Sequence, residues 1–304
     1  MNKRSFRFEL LFSITFLTAL IVVVAAFFSG VSYGANKMEA KYKHLKVLPA
    51  MNEDATSYQQ QDLVTFYHNV FEPYIEFKSA WVAGTEELRS SSTKQGKAIL
   101  RDLKELAETK YNEVNQHVLY DSSPLLQEAQ TGILKSLKLF AQAASESASA
   151  QNLNSGEKAL EKVKQDPLYQ NAVKYGLSAQ KDYYSSMLKW ANKTNSKLPK
   201  SYISQEKLTL KEWNKYTLIV KNVAISDILL KKSLFEAYNP QDLTAKVDYI
   251  IHSGNASTMQ LNSIQDIVDL LIKTEAVQEQ DYLKWNAKYY NTEVLPQLPF
   301  FYES

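Results

Sequence analysis

The sequence contains no cysteine. This absence excludes disulfides, thiolate metal ligands and cysteine nucleophiles together. Glycine and proline are also scarce, with eight of each in 304 residues. Because every β-hairpin needs turn residues, their scarcity favours long helices over many short strands.

The chain lacks any excess of charge beyond its first nine residues. Its formal net charge is +2, which equals the contribution of Lys3, Arg4 and Arg7 less that of Glu9. The remaining residues therefore sum to zero, and a neutral domain offers no electrostatic footprint to a phosphate backbone. We expect no nucleic-acid partner.

The common catalytic motifs are missing as well. The sequence has no Gly-x-Ser-x-Gly turn, no His-Glu-x-x-His and no glycine-rich phosphate loop. A catalytic triad can assemble from distant residues, but no residue here points to one. We expect a non-catalytic protein without a cofactor.

The N-terminal region contains one long apolar run. Residues 10–28 are nineteen residues without a charge, and at about 1.5 Å per residue they cover the hydrocarbon core of a bilayer, about 30 Å. We predict a cytoplasmic tail over residues 1–9 and a transmembrane signal anchor over residues 10–34. The membrane is thus a predicted partner of residues 10–28.

A cleaved signal peptide is the alternative for this segment. Ser32 and Gly34 are small residues at the −3 and −1 positions of a cleavage site before Ala35, which would release a secreted protein. The apolar run is longer than the usual 7 to 15 residues of a signal peptide, which favours the anchor. The cationic tail favours an N-terminus inside the cell, so we expect residues 35–304 to form an extracytoplasmic domain.

Apolar residues recur at spacings of three and four after the anchor, as in amphipathic helices. Three such stripes are Leu63, Phe66, Val70, Tyr74, Phe77 and Trp81; Ile99, Leu103, Leu106, Val114 and Val118; and Ala129, Ile133, Leu137, Phe140 and Ala144. Pro73 lies within the first stripe and predicts a kink. The predicted fold class is all-α: an N-terminal transmembrane helix followed by a multi-helix bundle.

Capping residues predict where the later helices begin. Four such signals are Ser123-Pro124, Asp166-Pro167, the capping box of Thr209 and Glu212, and Asn239-Pro240. The expected helices cover residues 124–144, 167–192, 209–234, 240–254 and 261–291. The small, polar residues 145–156 predict a loop.

Two segments of the chain resemble each other at an offset of 95 residues. Leu188-Lys189-Trp190 matches Leu283-Lys284-Trp285, and Ile133-Leu134 matches Ile228-Leu229. Chance similarity between amphipathic helices explains such matches equally well. An internal repeat of residues 133–199 and 228–296, giving two duplicated helical units, is therefore one hypothesis.

Three histidines have a carboxylate one helical turn away, which places both on one helix face. The pairs are His68 with Glu72, His252 with Asp248, and His117 with Glu113 and Asp121. Such pairs can supply metal ligands. An exposed pair on a solvated face is the commoner outcome, and a metal site is the alternative hypothesis for these residues.

Aromatic residues cluster near predicted helix ends. The candidates for a binding surface are Trp190, Trp285, Tyr289, Tyr290, Phe300 and Phe301. Aromatic surfaces suit protein or glycan partners, although large aromatic residues more often pack a core. The proline-rich residues 295–302 form either a strap across the bundle or a peptide that a partner binds.

Together these features predict a single-pass membrane protein of the cell envelope that acts by binding a protein or ligand. One alternative is a secreted or anchored ligand sensor that works with a membrane partner. A second is a metal-binding protein or enzyme that uses the His–carboxylate pairs.

Overall fold

The computed structural model of the chain describes residues 57–117, 123–150 and 155–302. The predicted cytoplasmic tail and the predicted anchor lie outside these ranges. Within them, no helix combines the length and the apolar character needed to cross a membrane.

The described residues are predominantly helical and contain no β-strand; Thr209 and Ser263 form an isolated antiparallel bridge. The α-helices are α1 Gln60–Phe66, α2 Glu72–Ser90, α3 Thr93–Asn115, α4 Pro124–Ser149, α5 Gly156–Gln165, α6 Pro167–Thr194, α7 Leu210–Trp213, α8 Leu218–Lys232, α9 Pro240–His252, α10 Asn255–Thr258, α11 Ile264–Lys273 and α12 Asp281–Tyr289. A π-helical turn, Tyr67–Phe71, joins α1 to α2, and a 3₁₀ turn, Pro299–Phe301, lies near the C-terminus. The all-α, multi-helix prediction is confirmed.

The long helices form a bundle in which chain neighbours pack together. Helix α3 packs between α2 and α4, and α4 packs extensively on α6. All members of the first and third predicted stripes are buried, and the Trp81 and Phe140 rings meet at 4.5 Å in the centre of this core. Gly176 of α6 allows a close approach, since a Cβ there would lie 1.7 Å from the Tyr74 hydroxyl.

Pro73 produces the π-helical turn that precedes it. Proline has no N–H to donate to the carbonyl one turn earlier, and its ring crowds that carbonyl. The wider π turn relieves this conflict, so the chain continues as helix. The structure shows a π-helical turn directly before Pro73, and the kink itself stays a prediction.

Three predicted boundaries are wrong. The stretch predicted as a loop over 145–156 is helical as far as Ser149, because Ser147 and Ala148 are buried against the bundle. The helix predicted over 209–234 breaks into α7 and α8, where Glu293 Oε1 accepts the Leu218 N–H at 3.0 Å. The helix predicted over 261–291 breaks into α11 and α12, and the Asp281 carboxylate accepts the Gln278 N–H at 2.7 Å.

Other predicted caps are confirmed. Asp166 accepts the Leu168 N–H at the start of α6, and Thr209 and Glu212 form the expected capping box. Helix α4 begins at Pro124 as predicted, but the Ser123 hydroxyl donates to Asp62 instead of capping the helix.

The short C-terminal helices attach to the bundle through α8, which packs on α6 and carries α9 on another side. Helix α12 in turn packs on α9. Lys78 of α2 is buried at this junction, where it donates to the Tyr238 carbonyl at 2.9 Å. Burial lowers the pKa of Lys78 to about 8.

The tail crosses the bundle, as the strap alternative predicts. Leu295, Leu298 and Phe301 are buried. Gln60 and Gln297 exchange two hydrogen bonds of 3.2 and 3.3 Å, which fix the tail to α1.

The two segments of the hypothetical repeat contain helices of unequal length. Residues 133–199 include the 28-residue helix α6, whereas α12, its counterpart by sequence, has nine residues. The repeat stays a prediction.

Candidate functional site

Four rings from α9 and α12 form a continuous stack at the surface. Tyr249 lies 4.7 Å from Trp285, Trp285 lies 5.7 Å from Tyr289, and Tyr289 lies 4.7 Å from His252. The last two pairs are nearly parallel, with interplanar angles of 18° and 22°. We call these four rings, together with Lys288, the aromatic surface.

Helical spacing explains why these residues meet. Tyr249 and His252 are three residues apart on α9, and Trp285, Lys288 and Tyr289 fall within one turn of α12. Residues three or four apart share a helix face. Because α9 and α12 pack against each other, their two faces join into one surface.

The aromatic surface is only partly covered. Tyr249, Trp285 and Tyr289 are half-buried, and His252 and Lys288 are exposed. The Lys288 ammonium lies 5.4 Å from the Trp285 ring and 5.2 Å from the Tyr289 ring. No carboxylate among the described residues lies within ion-pair distance of it, so its charge is available to a ligand.

His252 adds a hydrogen-bonding atom to this surface. Its Nδ1 lies 2.7 Å from the backbone carbonyl of Asp248. A carbonyl can only accept, so Nδ1 carries the proton and Nε2 of the neutral ring is an acceptor. With the imidazole neutral, the surface therefore offers ring faces, the Lys288 ammonium and the Nε2 acceptor, together with the hydroxyls of Tyr249 and Tyr289.

A buried ion pair supports the aromatic surface from below. The Asp248 carboxylate has no solvent exposure and accepts from Lys221 Nζ at 2.9 Å, Trp213 Nε1 at 2.6 Å and the Tyr290 hydroxyl at 2.5 Å. These contacts join α7, α8 and α9 to the end of α12. Tyr290, the residue that follows Tyr289, is thereby fixed in the protein interior.

Burial also controls the titration of groups around this ion pair. Burial and the neighbouring Asp248 carboxylate raise the pKa of Tyr290, so the hydroxyl stays protonated and donates. Burial raises the pKa of Glu293, whose carboxylate caps α8. The Lys221 ammonium also lies over the Trp213 ring at 5.3 Å.

The other predicted aromatic candidates lie apart from this surface or beneath it. Tyr290 and Phe301 are buried, and their rings pack on Tyr282 at 5.6 Å each. Phe300 is half-buried and touches Tyr67 at 5.5 Å. Trp190 is half-buried on α6 and packs against the core.

The predicted His–carboxylate pairs differ in their contacts. His68 and Glu72 do meet, at 3.1 Å, as an exposed pair. His252 contacts the backbone of Asp248, while the carboxylate binds Lys221.

At the third pair, Glu113 binds Lys110 at 2.9 Å, and Asp121 lies outside the described residues. Across the part of the chain that the structure describes, no three His, Asp or Glu side chains are grouped to hold a metal.

Sequence reasoning named Trp285, Tyr289 and His252 but did not connect them, and it missed Tyr249 and Lys288. The signal was the three- and four-residue spacing within each helix. The pairing of α9 with α12 is a tertiary contact that the spacing does not contain.

Comparison of the chain with protein-family models, curated proteins and solved structures gives no match.

Proposed function

We propose that this chain is a membrane-anchored protein whose helical domain lies outside the cytoplasm and binds an envelope protein or glycan. The aromatic surface would make the contact, and binding would involve no catalysis. The observation that carries this proposal is the half-exposed stack of Tyr249, Trp285, Tyr289 and His252 with an unpaired Lys288 beside it.

The chemistry of this surface suits recognition. Tryptophan and tyrosine provide large contact areas with few rotatable bonds, so little entropy is lost on binding. Lysine and histidine beside the rings add directional contacts. The buried Asp248 carboxylate of α9 accepts from the Tyr290 hydroxyl at the end of α12, which holds the two helices in register and preorganises the surface.

The proposed location depends on the apolar residues 10–28, which match the thickness of a bilayer. A C-terminal tag and protease added to intact cells test it. We expect membrane-bound, full-length chain that is digested from outside. Protection until lysis would contradict the external domain, and a soluble product beginning at Ala35 would contradict the anchor.

The binding role can be tested with the variant Tyr289→Ala. Retention of the chain on isolated envelope glycan measures glycan binding, and photo-crosslinking from position 288 measures contact with an envelope protein. We expect about tenfold weaker binding, since central aromatic residues contribute more than 1 kcal/mol to interfaces. Tyr175→Ala is the matched control, because Tyr175 is 38% exposed and also lies beneath a lysine, with Lys135 at 5.2 Å. Equal binding by the two variants would show that the aromatic surface is not the contact.

A further inference from the structure

A second surface, independent of the aromatic one, lies in the segment of residues 195–217 that connects α6 to α8. This segment contains five lysines, Lys197, Lys200, Lys207, Lys211 and Lys215, and two glutamates. All five lysines are exposed. We call residues 195–217 the lysine segment.

The five lysines of the segment exceed its two glutamates and form no close ion pair within the part of the chain that the structure describes. None of its five ammonium groups lies within 4.0 Å of a carboxylate among the described residues. The Glu212 carboxylate already accepts hydrogen bonds from the Thr209 N–H and hydroxyl in the capping box at the start of α7. Elsewhere, Lys110, Lys181 and Lys221 pair with carboxylates, whereas this segment brings five lysines without such an ion pair into 23 residues.

The lysine segment also contains an isoleucine that is exposed to solvent. Ile203 is 79% exposed, more than any other large apolar residue that the structure describes. Exposure of a whole isoleucine side chain forfeits about 2 kcal/mol of burial free energy. The side chain lies three residues after Lys200 and four before Lys207.

The exposure of Ile203 is imposed by neighbouring contacts. The Ser204 hydroxyl donates to the buried Asp227 carboxylate, and the Gln205 carbonyl accepts from Lys231 at 2.9 Å. Leu208 is fully buried, and its backbone bonds to both Gln265 and Ile264. The chain is fixed directly after Ile203, so the fold presents the side chain outward.

We propose that the lysine segment contacts the surface of an anionic lipid bilayer, with Ile203 entering the headgroup region. Each lysine near an anionic membrane contributes about 1 kcal/mol. An apolar side chain flanked by cations fits the interface, where the acyl boundary and charged headgroups meet. A soluble phosphate polymer would attract the lysines but gives no role to Ile203.

The absence of cysteine provides a direct test on the full chain. An Ile203→Cys variant would be labelled with the environment-sensitive dye NBD and reconstituted with vesicles. Vesicles of phosphatidylcholine alone would be compared with phosphatidylcholine mixed with phosphatidylglycerol. We expect blue-shifted, brighter emission in the anionic vesicles only.

Two controls separate this contact from general proximity to lipid. Val294→Cys places the dye at another apolar position, 65% exposed, outside the segment, and its emission should be the same in both vesicles. Lys200→Gln with Lys207→Gln should lower the equilibrium constant for contact about tenfold or more. Lys94→Gln with Lys158→Gln removes two exposed lysines elsewhere and should leave it unchanged.

Several outcomes would overturn the proposal. Equal emission from position 203 in both vesicles would exclude a charge-dependent contact. An equal blue shift of the dye at position 294 would show that lipid contact is not confined to the lysine segment. Retention of the chain by immobilised polyphosphate, together with unchanged emission from position 203 in the anionic vesicles, would assign the lysines to a phosphate polymer instead of lipid.

Discussion

Four of the helices α1–α6, the long-helix group, have 19 to 28 residues, whereas none of the helices α7–α12, the short-helix group, has more than 15. The two groups bury different side chains. The centre of the first group is aromatic, with Phe66, Phe77, Trp81 and Phe140 all nearly inaccessible. The second group contains every aspartate that is buried in the described residues: Asp227, Asp242, Asp248 and Asp281.

Asp227 and Asp248 pair with lysines, and Asp242 and Asp281 lie in the first turns of α9 and α12. Helix length bears on the second pair. Each helix start leaves four N–H groups without a partner, whatever the length of the helix. Short helices therefore have more such groups per residue, and several of these ends lie in the interior. Asp242 accepts the Tyr282 N–H in the first turn of α12 at 3.1 Å, so this buried carboxylate replaces the water that would otherwise satisfy the group.

The largest effect is expected in the apolar region. Leu103 of α3 is buried against Gly84 of α2. Leu103→Asp removes a core side chain, which costs about 3–5 kcal/mol, and also buries a charge. Because total stability is about 5–15 kcal/mol, we expect unfolding or a large fall in Tm by circular dichroism.

Leu103→Met is the control for this prediction. It conserves volume and should cost less than about 1.5 kcal/mol. A Leu103→Asp variant that melts like the unaltered chain would mean that the face of α3 packed on α2 is assigned wrongly.

The next effect is expected at the buried ion pair of the short helices. Asp248→Ala leaves the Lys221 ammonium without a partner in the interior, and we expect a loss of about 3–5 kcal/mol in denaturant unfolding. Asp227→Ala is the comparison, because the lysines that bind Asp227, Lys181 and Lys231, are 28% and 45% exposed. These ammonium groups can reach water, so the loss should be clearly smaller. Equal losses would mean that the buried cation is not the cause.

The smallest effect depends on pH and concerns a carboxylate in the long-helix bundle. Burial, followed by the charge of Glu128, raises the pKa of Asp182 to about 7. The folded state then holds a proton that the unfolded state loses, so stability falls as pH rises from about 4 to 7. Asp182→Asn should remove this loss and stabilise the chain at pH 8, on the order of 2 kcal/mol after allowance for partial exposure.

Asp266 of α11 supplies the opposite case. Hydrogen bonding with Ser263, whose backbone N–H donates to this carboxylate at 3.0 Å, lowers the pKa of Asp266. Its stabilising contribution is therefore present at neutral pH and is lost as the solution is acidified through that lowered pKa. Asp266→Asn should destabilise at neutral pH and match the unaltered chain in acid. If the stability of the Asp182→Asn and Asp266→Asn variants changed with pH in the same way, the contrast between a carboxylate with a raised pKa and a capping carboxylate with a lowered pKa would be contradicted.

Local patterns predicted the long helices better than the short ones. The stripe from Leu63 to Trp81 is buried throughout because a long amphipathic helix has one face that must leave water. The breaks at 214–217 and 274–280 were missed because partners far along the chain stabilise the new helix starts. Leu218 is capped by Glu293, which lies 75 residues away.

The candidate site divides in the same way. Trp285 and Tyr289 were recognised from sequence because aromatic residues cluster there. Tyr290 and Phe301 are also aromatic and lie in the same aromatic-rich part of the sequence, yet both are buried. Adjacent residues on a helix point about 100° apart, so only the packing of α12 on α9 decides which ring faces the solvent.

The sequence by itself determined that the chain is helical, where many helices begin and which residues form the long apolar stripes, because periodicity and caps act within a few residues. Only the tertiary structure decided that Asp248 binds Lys221, that the tail crosses the bundle and that Ile203 stays in water. These outcomes depend on which helix faces meet, and contacts between segments dozens or hundreds of residues apart determine that.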